Sequence, residues 1–161
     1  IHGARAVYAV DVQPDKLAFA ERCGCIPVNA RAGDPVEAIR KQTGGRGVDA
    51  ALELIGLPET MEQSVRVLAN RGRAALAGLS DRRFSLSSYH DLINREAEVI
   101  GVSDHLPPEL AELIGLVERV EPGLAGMARR TVRPEGTANN APLDALEAFG
   151  GEVRTVVSTG G

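Results

Sequence analysis

Asp11 is the residue whose position most clearly suggests a chemical role. It follows an apolar run, residues 6–10, and precedes Pro14, a residue type that is common in the first turn of a helix. An acid at the carboxyl end of a buried strand can accept hydrogen bonds from both hydroxyls of an adenosine ribose, and its charge repels a 2′-phosphate. The pattern favours NAD binding, with two structural alternatives for the same residue: a helix cap or a solvated turn.

Composition narrows the class of protein. The 161 residues are 43% hydrophobic and 25% charged, which is ordinary for one globular domain with a sizeable core. A net charge of -4 gives no electrostatic reason to expect nucleic acid or an anionic membrane as a partner. Cys23 and Cys25 lie too close in sequence for an easy disulfide or a C-x-x-C zinc knuckle. With no long apolar run or leader segment, we expect a cytoplasmic location.

Apolar runs alternate with amphipathic stretches along most of the chain, which predicts an α/β fold. Asp34 and Glu37 have the spacing of a capping box at the start of one helix. The continuous apolar run at residues 48–55 favours a parallel strand that is covered on both faces. The predicted strands are residues 6–11, 26–29, 48–54, 73–79 and 98–103, and the predicted helices are 14–24, 34–44, 59–69 and 107–122.

Several segments, taken in order, carry a family resemblance. They are residues 3–11, Lys16, residues 47–49 with 53–56, residues 72–73 with 77–78, residues 99–102 and residues 151–157. In order and spacing they resemble the carboxyl-terminal half of a medium-chain dehydrogenase/reductase of the zinc alcohol dehydrogenase type. Residues 123–142 match the family poorly.

The resemblance implies a Rossmann-like, doubly wound parallel sheet. Its first strand and glycine-rich turn would precede residue 1, so we expect this chain to lack both. Residues 1–104 would form a partial dinucleotide-binding domain, and residues 105–161 would be the segment that returns to the catalytic domain. Without the central first strand, we expect either a divided sheet or direct pairing of residues 7–10 with 50–54.

The resemblance places three charged residues against the cofactor. Asp11 would hold the adenosine ribose, and Lys16 would reach a ribose oxygen from the following helix. Arg154 would contact the pyrophosphate, a role for which a planar guanidinium is well suited. Lys16 and Arg154 have a simpler alternative as surface cations.

Five residues at the ends of later strands complete the implied site. Ile55 and Gly56 would lie against the adenosine, and the backbone at Gly78, Leu79 and Val102 would lie near the nicotinamide. The glycines have a simpler alternative as strand terminators.

No catalytic residue or metal ligand is assigned within this chain. The histidines, His2, His90 and His105, have no partner at metal-ligand spacing. The family resemblance implies that any zinc is held by residues of an amino-terminal domain that this chain lacks. The parent would transfer hydride between nicotinamide and a small alcohol or carbonyl substrate, and we expect this fragment alone to be inactive.

Two other functional classes stay open, and one oligomeric state is expected. The chain could be a truncated, non-catalytic Rossmann-like domain, or a methyltransferase-like α/β domain in which an acid also binds a ribose. In the family that the chain resembles, the strand that corresponds to residues 98–103 lies at the edge of the sheet and pairs with the same strand of a second subunit. Because Val99, Ile100 and Val102 make this edge apolar, we expect a homodimer through it.

Overall fold

The computed structural model describes residues 3–103, 107–124, 130–132 and 155–157. Contacts divide the chain into two compact units. The first unit comprises the chain up to residue 29 together with the chain from residue 107 onward, and the second unit comprises residues 30–106. No helix among the described residues is both long and apolar enough to cross a membrane.

The first unit contains a parallel pair of strands with a helix between them. Strand β1 (Tyr8–Asp11) pairs with β2 (Ile26–Asn29), and helix α1 (Pro14–Arg22) connects them. Gly24, at φ +83°, allows the chain to turn back after α1. The register brings Asp11 opposite Asn29 at the carboxyl ends of the two strands. The unit also contains helix α4 (Pro107–Leu124) and a second parallel pair, β6 (Arg130–Val132) with β7 (Thr155–Val157).

The second unit contains a three-stranded parallel sheet. Its order is β3 (Val48–Glu53), β4 (Leu68–Leu76) and β5 (Glu98–Gly101), so β4 is the central strand. Helix α2 (Pro35–Gln42) precedes β3, and α3 (Pro58–Arg66) connects β3 to β4. A π-helical turn (Ser88–Leu92) and a 3₁₀ turn (Ile93–Arg95) lead into β5. Its core is formed by Val65 of α3 with Leu68 and Ala74 of β4, all fully buried.

The α/β class and the parallel strands are confirmed, and of the two expected sheet arrangements the described residues show the divided one. Strand β1 pairs with β2, β3 pairs with β4, and residues 7–10 do not pair with 50–54 within the described part of the chain. The cap of α2 is also confirmed, since the Asp34 carboxylate accepts a hydrogen bond from the backbone N–H of Val36 at 2.8 Å.

Several predicted element boundaries are wrong. Helix α3 ends at Arg66 rather than at residue 69, because Leu68 leaves the helix to pair with Val48. The strand therefore starts before Gly72 and contains an irregularity, with Arg71 at φ +59°. Helix α4 continues past Pro122 to Leu124. A proline in the last helical turn removes one hydrogen bond, and the helix ends two residues later.

The expectation that both faces of the third strand are covered is also wrong. Leu52 in β3 is 73% exposed, whereas Glu53 beside it is only 3% exposed. Side chains alternate between the two faces of a strand, so at the carboxyl end of β3 one face is buried and the other is open in this structure. Four apolar residues of α4 are likewise exposed: Leu110, Leu113, Ile114 and Val117.

Candidate functional site

The Asp11 carboxylate organises the turn that follows β1. Its Oδ1 accepts hydrogen bonds from the backbone N–H groups of Val12, at 2.7 Å, and Gln13, at 2.8 Å. Gln13, not Asp11, is the N-cap of α1, so the helix-cap alternative is excluded for Asp11. Its other oxygen, Oδ2, accepts no hydrogen bond from the described residues. The carboxylate thus holds its own turn through one oxygen and keeps the other available at the end of the strand.

Lys16 lies in the same unit, near the start of α1. It is the third residue of the helix and is half-buried. Asp11 and Lys16 therefore lie on consecutive elements, at the end of β1 and in the first turn of α1. No hydrogen bond between the two side chains occurs among the described residues.

In the second unit, the ends of β3 and β4 meet at two glycines. Gly56 has φ +86°, and a Cβ there would lie 2.2 Å from the carbonyl oxygen of Leu79. A Cβ on Gly78 would lie 2.1 Å from the backbone nitrogen of Gly56. Both positions need glycine because the two chain segments approach each other closely. This reason for glycine holds whether or not a cofactor binds beside them.

The other predicted residues of this unit are exposed at the strand ends. Ile55 is 53% exposed, Leu79 is 94% exposed and Val102 is 46% exposed. The backbone N–H of Val102 donates to the carbonyl of Leu76 at 2.9 Å, which keeps the end of β5 beside the end of β4. These apolar side chains are available to contact a flat, partly apolar ligand.

Glu53 contacts two of the predicted residues, although the sequence assigned it no role. It is the last residue of β3, and its Oε1 accepts hydrogen bonds from Ile55, Gly56 and Thr60. The available signal was an acid inside an apolar run, since a buried acid requires hydrogen-bond partners.

Two arginines support the carboxyl end of α3, the helix that carries Thr60. Arg40 donates to the carbonyls of Arg66, at 2.9 Å, and Leu68, at 3.0 Å. Arg95 donates to the same Arg66 carbonyl at 2.7 Å. Burial lowers the pKa of Arg40 below its ordinary value, and the charge of Arg95 lowers it further. The two like charges are tolerated because the end of a helix carries partial negative charge.

The remaining candidate positions add no further contact to this site among the described residues. Arg154 lies outside the described residues. Among the residues that the structure describes, no three histidine, cysteine, aspartate or glutamate side chains are grouped to hold a metal ion. A groove of about 440 Å³ between the start of α2 and α3, lined by residues such as Asp34, Glu59 and Arg66, contains none of the predicted site residues.

Comparisons with known proteins identify the class of this fold. An alcohol dehydrogenase structure from the archaeon Aeropyrum pernix matches with a TM-score of 0.77 and 28% identity, covering 94% of this chain and 42% of that one. The fold is therefore Rossmann-like, as the strand order and the parallel pairing of both units indicate.

Sequence relatives define the family. A family model described as "Zinc-binding dehydrogenase" matches residues 1–119, so the chain belongs to that family. An L-threonine 3-dehydrogenase of Symbiobacterium thermophilum is 31% identical over 147 residues, which cover 91% of this chain and 40% of the relative. An NAD-dependent alcohol dehydrogenase of Sulfurisphaera tokodaii is 32% identical over 146 residues, which cover 89% of this chain and 40% of the relative. The chain thus spans about 40% of the length of these relatives.

Proposed function

We propose that this chain is the cofactor-binding half of an NAD-dependent oxidoreductase of the alcohol or polyol dehydrogenase type. The reaction is hydride transfer between nicotinamide and a small alcohol or carbonyl substrate. Within this proposal, residues 1–104 belong to the dinucleotide-binding domain and residues 105–161 to the segment that returns to the catalytic domain. The proposal rests on the position of Asp11 at the carboxyl end of β1.

The residues around Asp11 fit an adenosine ribose. The carboxylate is at the carboxyl end of a parallel strand, where open α/β sheets bind their ligands. Its Oδ2 accepts no hydrogen bond from the described residues, so it is available as an acceptor for a ribose hydroxyl. Lys16 on α1 would bind a ribose oxygen. The Sulfurisphaera tokodaii relative, an NAD-dependent alcohol dehydrogenase, supports NAD as the cofactor.

Residues at the ends of β3, β4 and β5 would also contact the cofactor. Ile55 and Gly56 would lie against the adenosine, and the backbone at Gly78, Leu79 and Val102 would lie near the nicotinamide. NAD, when bound, supplies the nicotinamide carbon that accepts hydride. The chain's own residues hold and orient it. The described residues do not provide a zinc site, so we assign them no metal-dependent step.

The proposal is tested by the cofactor preference of the complete polypeptide that the gene encodes. We expect its kcat/KM with NAD to exceed that with NADP by at least about tenfold, because a lost hydrogen bond to a charged group costs about 1.5–3 kcal/mol. Asp11→Ser should lower the ratio of kcat/KM with NAD to kcat/KM with NADP. Asp15→Ser removes an exposed carboxylate in the first turn of α1 and is the matched control, which should keep the wild-type ratio.

Each outcome of this experiment discriminates between functional classes. A wild-type preference for NADP would overturn the ribose role of Asp11. A complete polypeptide that binds neither dinucleotide would support the truncated, non-catalytic alternative. Binding of S-adenosylmethionine in place of a dinucleotide would support the methyltransferase alternative, which shares the ribose-binding acid.

A further inference from the structure

Glu53 is a buried acid without a cationic partner in the described part of the chain. Only 3% of its surface is exposed, and it forms none of the ion pairs found among the described residues. Burying a carboxylate is costly unless hydrogen bonds compensate for the lost hydration. The partners of this side chain therefore indicate what it does.

One carboxylate oxygen accepts three hydrogen bonds. Oε1 of Glu53 accepts from the backbone N–H of Ile55 and of Gly56, both at 2.9 Å, and from the hydroxyl of Thr60 at 2.7 Å. Two of these donors lie in the turn after β3, and the third lies in the first turns of α3. A carboxylate is a stronger acceptor than an amide, which suits it to hold several donors at once.

The backbone of Glu53 connects this turn to the neighbouring strand. Its carbonyl accepts hydrogen bonds from the N–H groups of Ala77, at 2.9 Å, and Gly78, at 3.1 Å. One residue thus contacts the turn after β3, the start of α3 and the end of β4. The same two strand ends carry residues of the proposed cofactor site.

The second carboxylate oxygen indicates how the side chain is oriented. Oε2 of Glu53 is buried and has no hydrogen-bond partner among the described residues. It faces Gly78, because a Cβ built there would lie 2.6 Å from it. The carboxylate is therefore held in the orientation that its three Oε1 donors require, even though Oε2 is left without a partner.

We infer that Glu53 is a positioning residue, which sets the conformation of residues 54–57 relative to residues 77–79 and thereby the affinity for a dinucleotide. The second half of this statement rests on the proposed function. Ile55 and Leu79 are exposed beside Gly56 and Gly78, so both apolar side chains depend on these turns for their position. A binding site loses affinity when such supporting contacts allow its residues to shift by about 0.5 Å or more.

The local part of the inference is tested by amide hydrogen exchange, measured by NMR on the 161-residue chain. In Glu53→Gln, we expect exchange at Ile55 and Gly56 to accelerate at least about tenfold, since their shared acceptor is weakened. Ser64→Ala is the matched control. It removes a buried hydroxyl one turn further along α3, whose 2.7 Å bond goes to the carbonyl of Met61 within the helix. Unchanged exchange at both amides in Glu53→Gln would overturn the inference.

The functional part is tested by dinucleotide affinity in the complete polypeptide. Titration with NADH should show that Glu53→Gln raises Kd at least about tenfold, whereas Ser64→Ala lowers the melting temperature and leaves Kd at the wild-type value. If both variants change Kd in proportion to their loss of stability, Glu53 has only a structural role and the inference is wrong.

Two further measurements decide the question if Glu53→Gln does not fold or if the wild type does not bind NADH. If Glu53→Gln does not fold, Thr60→Val removes one of the three donors and should accelerate exchange at Ile55 and Gly56 in the same direction. If the wild type binds no NADH, the proposed function fails, and hydrogen exchange alone then decides whether Glu53 positions the turn.

Discussion

Replacing Gly56 with alanine would test the close approach between the ends of β3 and β4. Gly56 and Gly45 lie in the same unit and have nearly the same φ, +86° and +87°. They differ in their surroundings. A Cβ on Gly56 would lie 2.2 Å from the carbonyl oxygen of Leu79, whereas a Cβ on Gly45 would meet no atom within 4 Å. Gly45→Ala is therefore a matched control for the backbone cost alone.

The two substitutions should differ by the cost of the steric clash. A non-glycine residue at positive φ costs about 1–2 kcal/mol, and both variants lose this amount of unfolding free energy. Gly56→Ala must also displace the backbone of Leu79, since the contacting atoms cannot rotate away as a side chain would. Overpacking of this kind costs about 1–3 kcal/mol. We therefore expect Gly56→Ala to destabilise the protein by about 2–5 kcal/mol and Gly45→Ala by about 1–2 kcal/mol.

Urea unfolding, monitored by circular dichroism, measures this difference in unfolding free energy. Equal m-values in the two variants would confirm that each exposes the same amount of surface on unfolding. The reasoning is refuted if the two variants lose the same unfolding free energy within about 0.5 kcal/mol. That result would mean that the separation of Gly56 and Leu79 is wider than the structure shows, and that backbone conformation alone explains the glycine.

Two further predictions concern the edge strand and a surface ion pair. In the complete polypeptide we expect a homodimer through β5, where Ile100 is 39% exposed. Ile100→Lys should therefore give a monomer in light scattering. A wild-type protein that is already a monomer at micromolar concentration, and is unchanged by the substitution, would disprove the prediction. The hydrogen bond from Arg46 lowers the pKa of the exposed Asp49 carboxyl below its ordinary value. The stabilising contribution of this pair is thus present above the ordinary aspartate pKa and is lost as pH falls through the lowered one. In an NMR titration Arg46→Gln should raise the pKa of Asp49, and an unchanged pKa would show that the pair does not form in solution.

Local signals in the sequence were sufficient for the class of fold and for most elements. Proline at the start and glycine at the end delimit α1 and α2, and the Asp34 cap forms as its spacing predicted. These features act over a few residues, so they operate wherever the segment lies. The family, too, was recognisable from the order of short motifs, because each motif reflects a local turn or strand end.

The roles of the predicted site residues follow less directly from the sequence. Spacing places Asp11 at the end of β1, and the structure shows that its Oδ1 holds the turn and is not a helix cap. Its contact with a ribose stays a prediction, as do the roles of Lys16, Ile55, Val102 and Arg154. Ligand contacts depend on groups that approach from other parts of a protein, which the spacing of one segment does not describe.

Tertiary structure decided the features that depend on pairing between distant segments. Leu68 continues the helical pattern of α3, yet it pairs with Val48, because a backbone hydrogen-bond ladder with a buried side chain outweighs one more helical residue. In the sequence, Glu53 is not distinguishable from other acids near strand ends. Its role follows only from the hydrogen bonds that its Oε1 accepts from Ile55, Gly56 and Thr60. The sequence by itself determined the type and order of most elements and the starts of α1 and α2, since those preferences are local. Only the folded chain determined which carboxylate is buried and which glycines are in contact, since burial and close approach require partners that are distant in sequence.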